Sequence, residues 1–81
     1  MEVTFVVEQA GCESCAKRVE SALSPLADVH SVEIDEDADV ATVRAAGALS
    51  EAQANDALAE ASHGSGHVYR VRAGSWRTAA E

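Results

Sequence analysis

Apolar and polar positions alternate near the start of the chain, which is the pattern of a strand with one buried face. Between Glu2 and Glu8 the side chains of Val3, Phe5 and Val7 fall on the same side, so this side is predicted to face the core. The stretch from Gln9 to Glu13 contains a glycine and follows neither the strand period nor the helix period. It is therefore predicted to be a loop.

From Ser14 the pattern changes to the period of a helix. Apolar residues at i, i+3, i+4 and i+7 form the predicted buried stripe, namely Val19, Ala22, Leu23 and Leu26. Pro25 lacks a backbone N–H and disfavours helical geometry in the residue before it, so the regular helix is predicted to end near Ser24.

The middle of the chain is typical of a β-hairpin. Alternation from Val29 to Asp35 predicts a second strand with Val32 and Ile34 facing inward. Glu36 to Asp39 is a polar turn, and Val40 to Ala45 is predicted to be the third strand.

A second helix follows, and its start carries a capping box. Ser50 is a good N-cap, and Gln53 lies three residues later, where its side chain can reach back to the cap. The predicted buried stripe consists of Ala54, Ala57, Leu58 and Ala61. Two glycines within residues 63–66 are expected to end the helix.

Residues 67–73 are predicted to form the last strand, and residues 74–81 a short tail in which Trp76 covers an apolar edge. The chain is interpreted as a single domain, residues 1–81, with a core of about residues 3–73. Its element order is β-α-β-β-α-β. With right-handed crossovers this order predicts an α+β ferredoxin-like sandwich, in which a four-stranded antiparallel sheet carries both helices on one face.

The charge and the apolar runs limit the partners. The 81 residues include 14 Asp and Glu against six Lys and Arg, a net charge of −8. Nucleic acid is therefore not an expected partner, because binding to phosphates needs a basic patch. The acidic composition, poor in lysine, is also typical of proteins from a high-salt cytoplasm. No apolar run approaches the ~20 residues that span a bilayer, and no signal-peptide pattern is seen, so we expect a cytoplasmic protein without membrane insertion.

Both cysteines lie in the stretch A-G-C-E-S-C, as Cys12 and Cys15, where the first strand passes into the first helix. A disulfide, a redox centre and a metal site are the three alternatives. A structural disulfide is the least expected in a reducing cytoplasm. The helix N-terminus favours thiolates, and two soft sulfur ligands suit Cu(I) or form half of a zinc site. Neither cysteine belongs to the predicted core.

The segment from Gly11 to Val29 resembles the heavy-metal-associated domain family, which includes copper chaperones, a mercury-binding protein and domains of copper-transporting ATPases. The resemblance continues in V-x-x-V-x-I-D, A-T-V and A-L-A-E-A-S-H-G, at residues 29–35, 41–43 and 57–64. It implies reversible binding of Cu(I) by Cys12 and Cys15, with Hg(II) or Zn(II) as other possible metals. It also implies transfer by ligand exchange to a metal-transporting P-type ATPase or another acceptor protein. We expect a monomer or a metal-bridged dimer, and no catalysis.

The loop departs from the family pattern, in which a methionine anchors the segment before the first cysteine. That position is Ala10 in this chain, and the glycine has moved to Gly11. The loop is therefore expected to have a different conformation from that of the family, and the resemblance does not decide which metal it binds.

Two histidines are candidate further ligands. His63 lies in the loop after the second helix, which the fold brings to the same end as the cysteines, so it is a candidate third ligand. His67 would complete a Cys2His2 zinc site, although it begins a strand that is expected to point it elsewhere. The enzymatic alternative is a small thiol–disulfide oxidoreductase. Against it, a thioredoxin fold needs a longer chain, and Pro25 lies too close to the cysteines to serve as that fold's cis-proline.

Overall fold

The computed structural model describes residues 2–46, 49–64, 66 and 68–79. The elements are β1 (Glu2–Glu8), α1 (Glu13–Leu23), β2 (Val29–Asp35), β3 (Val40–Ala46), α2 (Glu51–Ser62), β4 (Arg70–Val71) and β5 (Arg77–Ala79). Among the described residues, no helix has the length and apolar content needed to cross a membrane.

The strands form one antiparallel sheet in the order β2-β3-β1-β4. β5 also pairs with β1, at residues 2–4, whereas β4 pairs with β1 at residues 7 and 8. The central strand β1 pairs along its whole length with β3, from Glu2 opposite Ala46 to Glu8 opposite Val40. Because β4 and β5 occupy successive parts of the same edge, the sheet has four strand positions. Together with the two helices this confirms the predicted ferredoxin-like architecture.

The core lies between the sheet and the two helices. The odd-numbered residues of β1 are buried, and they pack with alternate residues of β3. The helices add Cys15, Val19 and Leu23 from α1 and Ala54 and Leu58 from α2.

The buried stripe of α1 begins at Cys15, whereas the helical pattern predicted that it begins at Val19. It consists of Cys15, Val19 and Leu23, which are four residues apart and therefore share one face. Leu26, predicted to be buried, is 40% exposed because the helix ends at Leu23 and the chain turns away before Pro25.

A second difference concerns β2, which lies at the edge of the sheet. Ile34 was predicted to face inward but is 37% exposed, and Val32 is only half-buried. The pairing of β2 with β3 also shifts register between Val29 and Ser31. An edge strand has a neighbour on only one side, so its apolar residues are covered less completely.

The last predicted strand is shorter than residues 67–73, and part of the predicted tail is a strand. Between β4 and β5 the strand is interrupted, and the hydroxyl of Ser75 takes the place of a backbone partner for β1. Its Oγ accepts a hydrogen bond from the Val6 N–H at 3.1 Å and donates to the Arg72 carbonyl at 2.7 Å. Trp76 stacks on Phe5 with ring centroids 4.6 Å apart, as expected for a residue that covers an apolar edge.

The face of β1 opposite the core carries charge pairs. The Glu2 carboxylate lies 3.0 Å from the Arg44 guanidinium and 3.1 Å from the His30 ring. The hydrogen bonds from Arg44 and then His30 hold the pKa of Glu2 below its ordinary value.

Candidate metal centre

The loop between β1 and α1 places Cys12 at the start of the helix. Cys12 has extended backbone geometry and is the N-cap of α1, and its sulfur accepts a hydrogen bond from the Cys15 N–H at 3.2 Å. Its carbonyl accepts the first helical bond, from the Ala16 N–H at 2.9 Å. A helix N-terminus with an N–H donor is a favourable place for negative charge, so once reduced this position suits a thiolate ligand.

The two cysteines differ in their surroundings. Cys12 is exposed, whereas Cys15 is 2% exposed and packs in the core in line with Val19 and Leu23. The prediction that neither cysteine belongs to the core was therefore wrong for Cys15. The helical spacing from Cys15 to Val19 was a signal that could have revealed it. One sulfur of the pair is accessible to another molecule, and the other is shielded.

Cys12 and Cys15 are joined by a disulfide, with their Cα atoms 5.1 Å apart. Of the three alternatives, a structural disulfide was the least expected, but the same bond is also the oxidised form of a redox-active pair. The bond links residues only three apart, so it removes less freedom from the unfolded chain than a bond closing a long loop does. The same proximity of the two side chains allows them, when reduced, to bind one metal ion together.

The loop rests on the turn between β2 and β3. The Gly11 N–H donates a hydrogen bond to Oδ1 of Asp39 at 3.2 Å. A Cβ atom placed on Gly11 would lie 2.5 Å from the Asp39 Cα and 2.9 Å from the Asp35 carbonyl oxygen, so only glycine fits this approach. Ala10, at the family's methionine position, is completely buried. Sequence reasoning did not identify Asp39, because the contact joins residues that are 28 positions apart.

His63 is the exposed C-cap residue of α2. The chain that follows it contacts the cysteine loop, since the Val68 N–H donates to the side-chain oxygen of Gln9 at 3.1 Å. Within the described ranges, no three His, Cys, Asp or Glu side chains are grouped so as to hold a metal ion. A ligand role for His63 stays a prediction, and His67 lies outside the described residues.

Comparison with known proteins agrees with this geometry. The sequence profile described as "Heavy-metal-associated domain" matches residues 4–66. A crystal structure of oxidized MerP from Ralstonia metallidurans CH34 superposes with a TM-score of 0.60 at 21% identity, covering 89% of this chain and 99% of that one. A structure titled "Crosstalk between Cu(I) and Zn(II) homeostasis" gives a TM-score of 0.58 at 27% identity, covering 85% and 97%. No curated protein sequence gives a significant match.

Proposed function

This chain belongs to the heavy-metal-associated domain family, and on that premise we propose that it carries Cu(I) on Cys12 and Cys15 and delivers it to an acceptor protein. The family binds and transfers heavy-metal ions. The identity of the metal, the acceptor and the route of transfer are the proposed part. The acceptor is a metal-transporting P-type ATPase or another protein with thiol ligands, and the site of action is the cytoplasm.

The unequal exposure of the two cysteines is the observation that carries the proposal. Cys15 is shielded in the core, whereas Cys12 lies at the surface. We expect the reduced protein to keep this difference, so that Cys15 holds its place while Cys12 exchanges ligands. A thiolate of the acceptor bonds to the Cu(I) ion first, and the bond to Cys12 then breaks. A second acceptor thiolate replaces Cys15 in the same way. The metal keeps its oxidation state, and the protein acts as a carrier and not as an enzyme.

The number of available ligands favours Cu(I) over Zn(II). Zinc prefers four ligands in a tetrahedral arrangement, and two soft thiolates satisfy Cu(I) or Hg(II) better than they satisfy zinc. Within the described part of the chain, the cysteines have no third metal-binding side chain grouped with them. Hg(II) and Zn(II) remain the alternative metals that the protein could carry. One structural relative has a title that concerns Cu(I) and Zn(II) homeostasis, which supports testing both metals.

The test is a titration of the reduced protein with Cu(I), in competition with a Cu(I) chelator and in parallel with Zn(II) and Hg(II). We expect uptake of one Cu(I) per protein by an already folded chain, and weaker binding of Zn(II). The variant Cys12→Ala is the matched control, because it removes the exposed ligand without altering the core. Cu(I) binding that is unchanged in Cys12→Ala would refute the proposal, and unfolding on chelation of zinc would indicate a structural zinc domain instead.

The disulfide supports a second candidate, a thiol–disulfide oxidoreductase. An exposed Cys12 backed by a buried Cys15 is also the arrangement of an attacking and a resolving thiol. A reduction potential between about −270 and −200 mV, together with catalytic turnover of a disulfide substrate, would favour this function over metal transfer.

A further inference from the structure

The hairpin turn between β2 and β3 contacts the loop that carries Cys12 closely at Gly11. The Gly11 N–H is bonded to the Asp39 carboxylate, and the glycine lies so close to the Asp39 backbone that a methyl group has no room. Gly11 directly precedes Cys12. A displacement of Gly11 therefore moves the exposed sulfur relative to Cys15, which is held by the core.

The backbone at this approach adopts conformations that are uncommon for residues with side chains. Glu8 opposite Val40 is the last pair of the β1–β3 ladder. Just beyond this pair lie Gln9, which follows Glu8, and Asp39, which precedes Val40, with φ values of 62° and 55°. Such conformations cost energy and persist only where surrounding contacts maintain them. The hydrogen bond between Asp39 and Gly11 is one such contact.

We propose that Asp39 is a positioning residue for the cysteine pair, and that it holds the loop through Gly11 where the family uses a buried methionine. Both the disulfide and a two-thiolate metal complex require the two sulfurs at a restricted separation. A loop released from Asp39 samples other separations, so both bonded forms become less favourable relative to the free dithiol. For the metal, this inference rests on the proposed function; for the disulfide, it stands without it.

Two substitutions at the same position separate the hydrogen bond from the charge. Asp39→Gly removes the acceptor and tolerates the positive φ, so it adds no backbone strain. Asp39→Asn keeps a side-chain oxygen as acceptor, also tolerates the positive φ and removes the charge. Asp37→Gly is the control. It places a glycine in the same turn, where the Asp37 side chain makes no hydrogen bond or ion pair with the described part of the chain.

Three measurements are made on each protein: the Cys12–Cys15 equilibrium with glutathione, Cu(I) affinity by chelator competition, and exchange of the Gly11 amide by NMR. In Asp39→Gly, we expect the disulfide and the Cu(I) complex each to weaken by about two- to tenfold, the usual worth of one hydrogen bond. A tenfold change in the disulfide equilibrium corresponds to ~30 mV. Asp39→Asn and Asp37→Gly should behave like the wild type.

Several results would overturn the inference. Unchanged equilibria in a folded Asp39→Gly would do so, and so would an equal loss in Asp39→Asn or in Asp37→Gly. Rapid exchange of the Gly11 amide in the folded wild-type protein would refute it without any variant. A wild-type protein that binds no Cu(I) would refute the proposed function alone, because the glutathione equilibrium still tests the role of Asp39.

Discussion

Restoring the family's methionine with Ala10→Met tests whether this loop has been rebuilt or has merely lost a side chain. Ala10 is completely buried and belongs to the core cluster, and its neighbour Gly11 already touches the backbone of the hairpin turn. Three additional heavy atoms must therefore displace packed neighbours. Overpacking of this kind costs about 1–3 kcal/mol, which exceeds what the added apolar surface gains when no space awaits it.

The measurement is a thermal melt of the two proteins with their cysteines in the same oxidation state. In a domain of this size, 1 kcal/mol shifts Tm by about 4–8 °C, so Ala10→Met should lower Tm by about 4 °C or more. The matched control is Ala57→Met, since Ala57 lines an open groove of about 630 Å³ between α1 and α2 and leaves room for the same side chain. A Tm for Ala10→Met at or above that of the wild type would show that space remains beneath the loop.

Four further predictions follow from the structure. Cys15→Ser should destabilise the reduced protein by about 1–3 kcal/mol, because it buries a hydroxyl, whereas Cys12→Ser at the surface should cost little. Equal denaturation midpoints for the two variants would contradict the unequal burial of the two cysteines. If His63 joins the two thiolates as a third ligand in the metal-bound form, His63→Ala should weaken Cu(I) binding modestly. Equal affinities in chelator competition would leave His63 as an exposed helix cap. Trp76→Ala should cost about 1–3 kcal/mol in urea denaturation, although it lies beyond the family match. The lowered pKa of Glu2 means that its contribution to stability is present at neutral pH and is lost as the pH falls through the lowered value. Glu2→Gln should therefore weaken the dependence of the unfolding free energy on acid pH. An unchanged pH profile of stability would show that the contacts of Glu2 with Arg44 and His30 contribute nothing.

The elements could be predicted because their signals are local. The alternation in β1, the capping box at Ser50 and the stop before Pro25 each depend on residues within one turn or one strand, and the structure contains all three. The boundaries of the last strand could not be predicted in the same way. They depend on the Ser75 hydroxyl meeting a backbone N–H of β1, a partner 69 positions away. Local pattern carries no information about such a contact.

The same distinction explains what the sequence revealed about the site and what it did not. Two cysteines at a strand–helix junction are a local motif, and their spacing alone predicts a pair of sulfurs at a helix N-terminus. The glycine before Cys12 could be read only as a departure from the family, because nothing adjacent to it shows what it faces. Its reason is the backbone of Asp39, which comes within 2.5 Å of where a Cβ would lie. Gly11 looks like a departure from the family motif, but glycine is required there because the turn between β2 and β3 packs directly against its backbone. It follows that replacing the Asp39 side chain makes no room for a larger residue at position 11, because the atoms in the way belong to the backbone of Asp39 and Asp35.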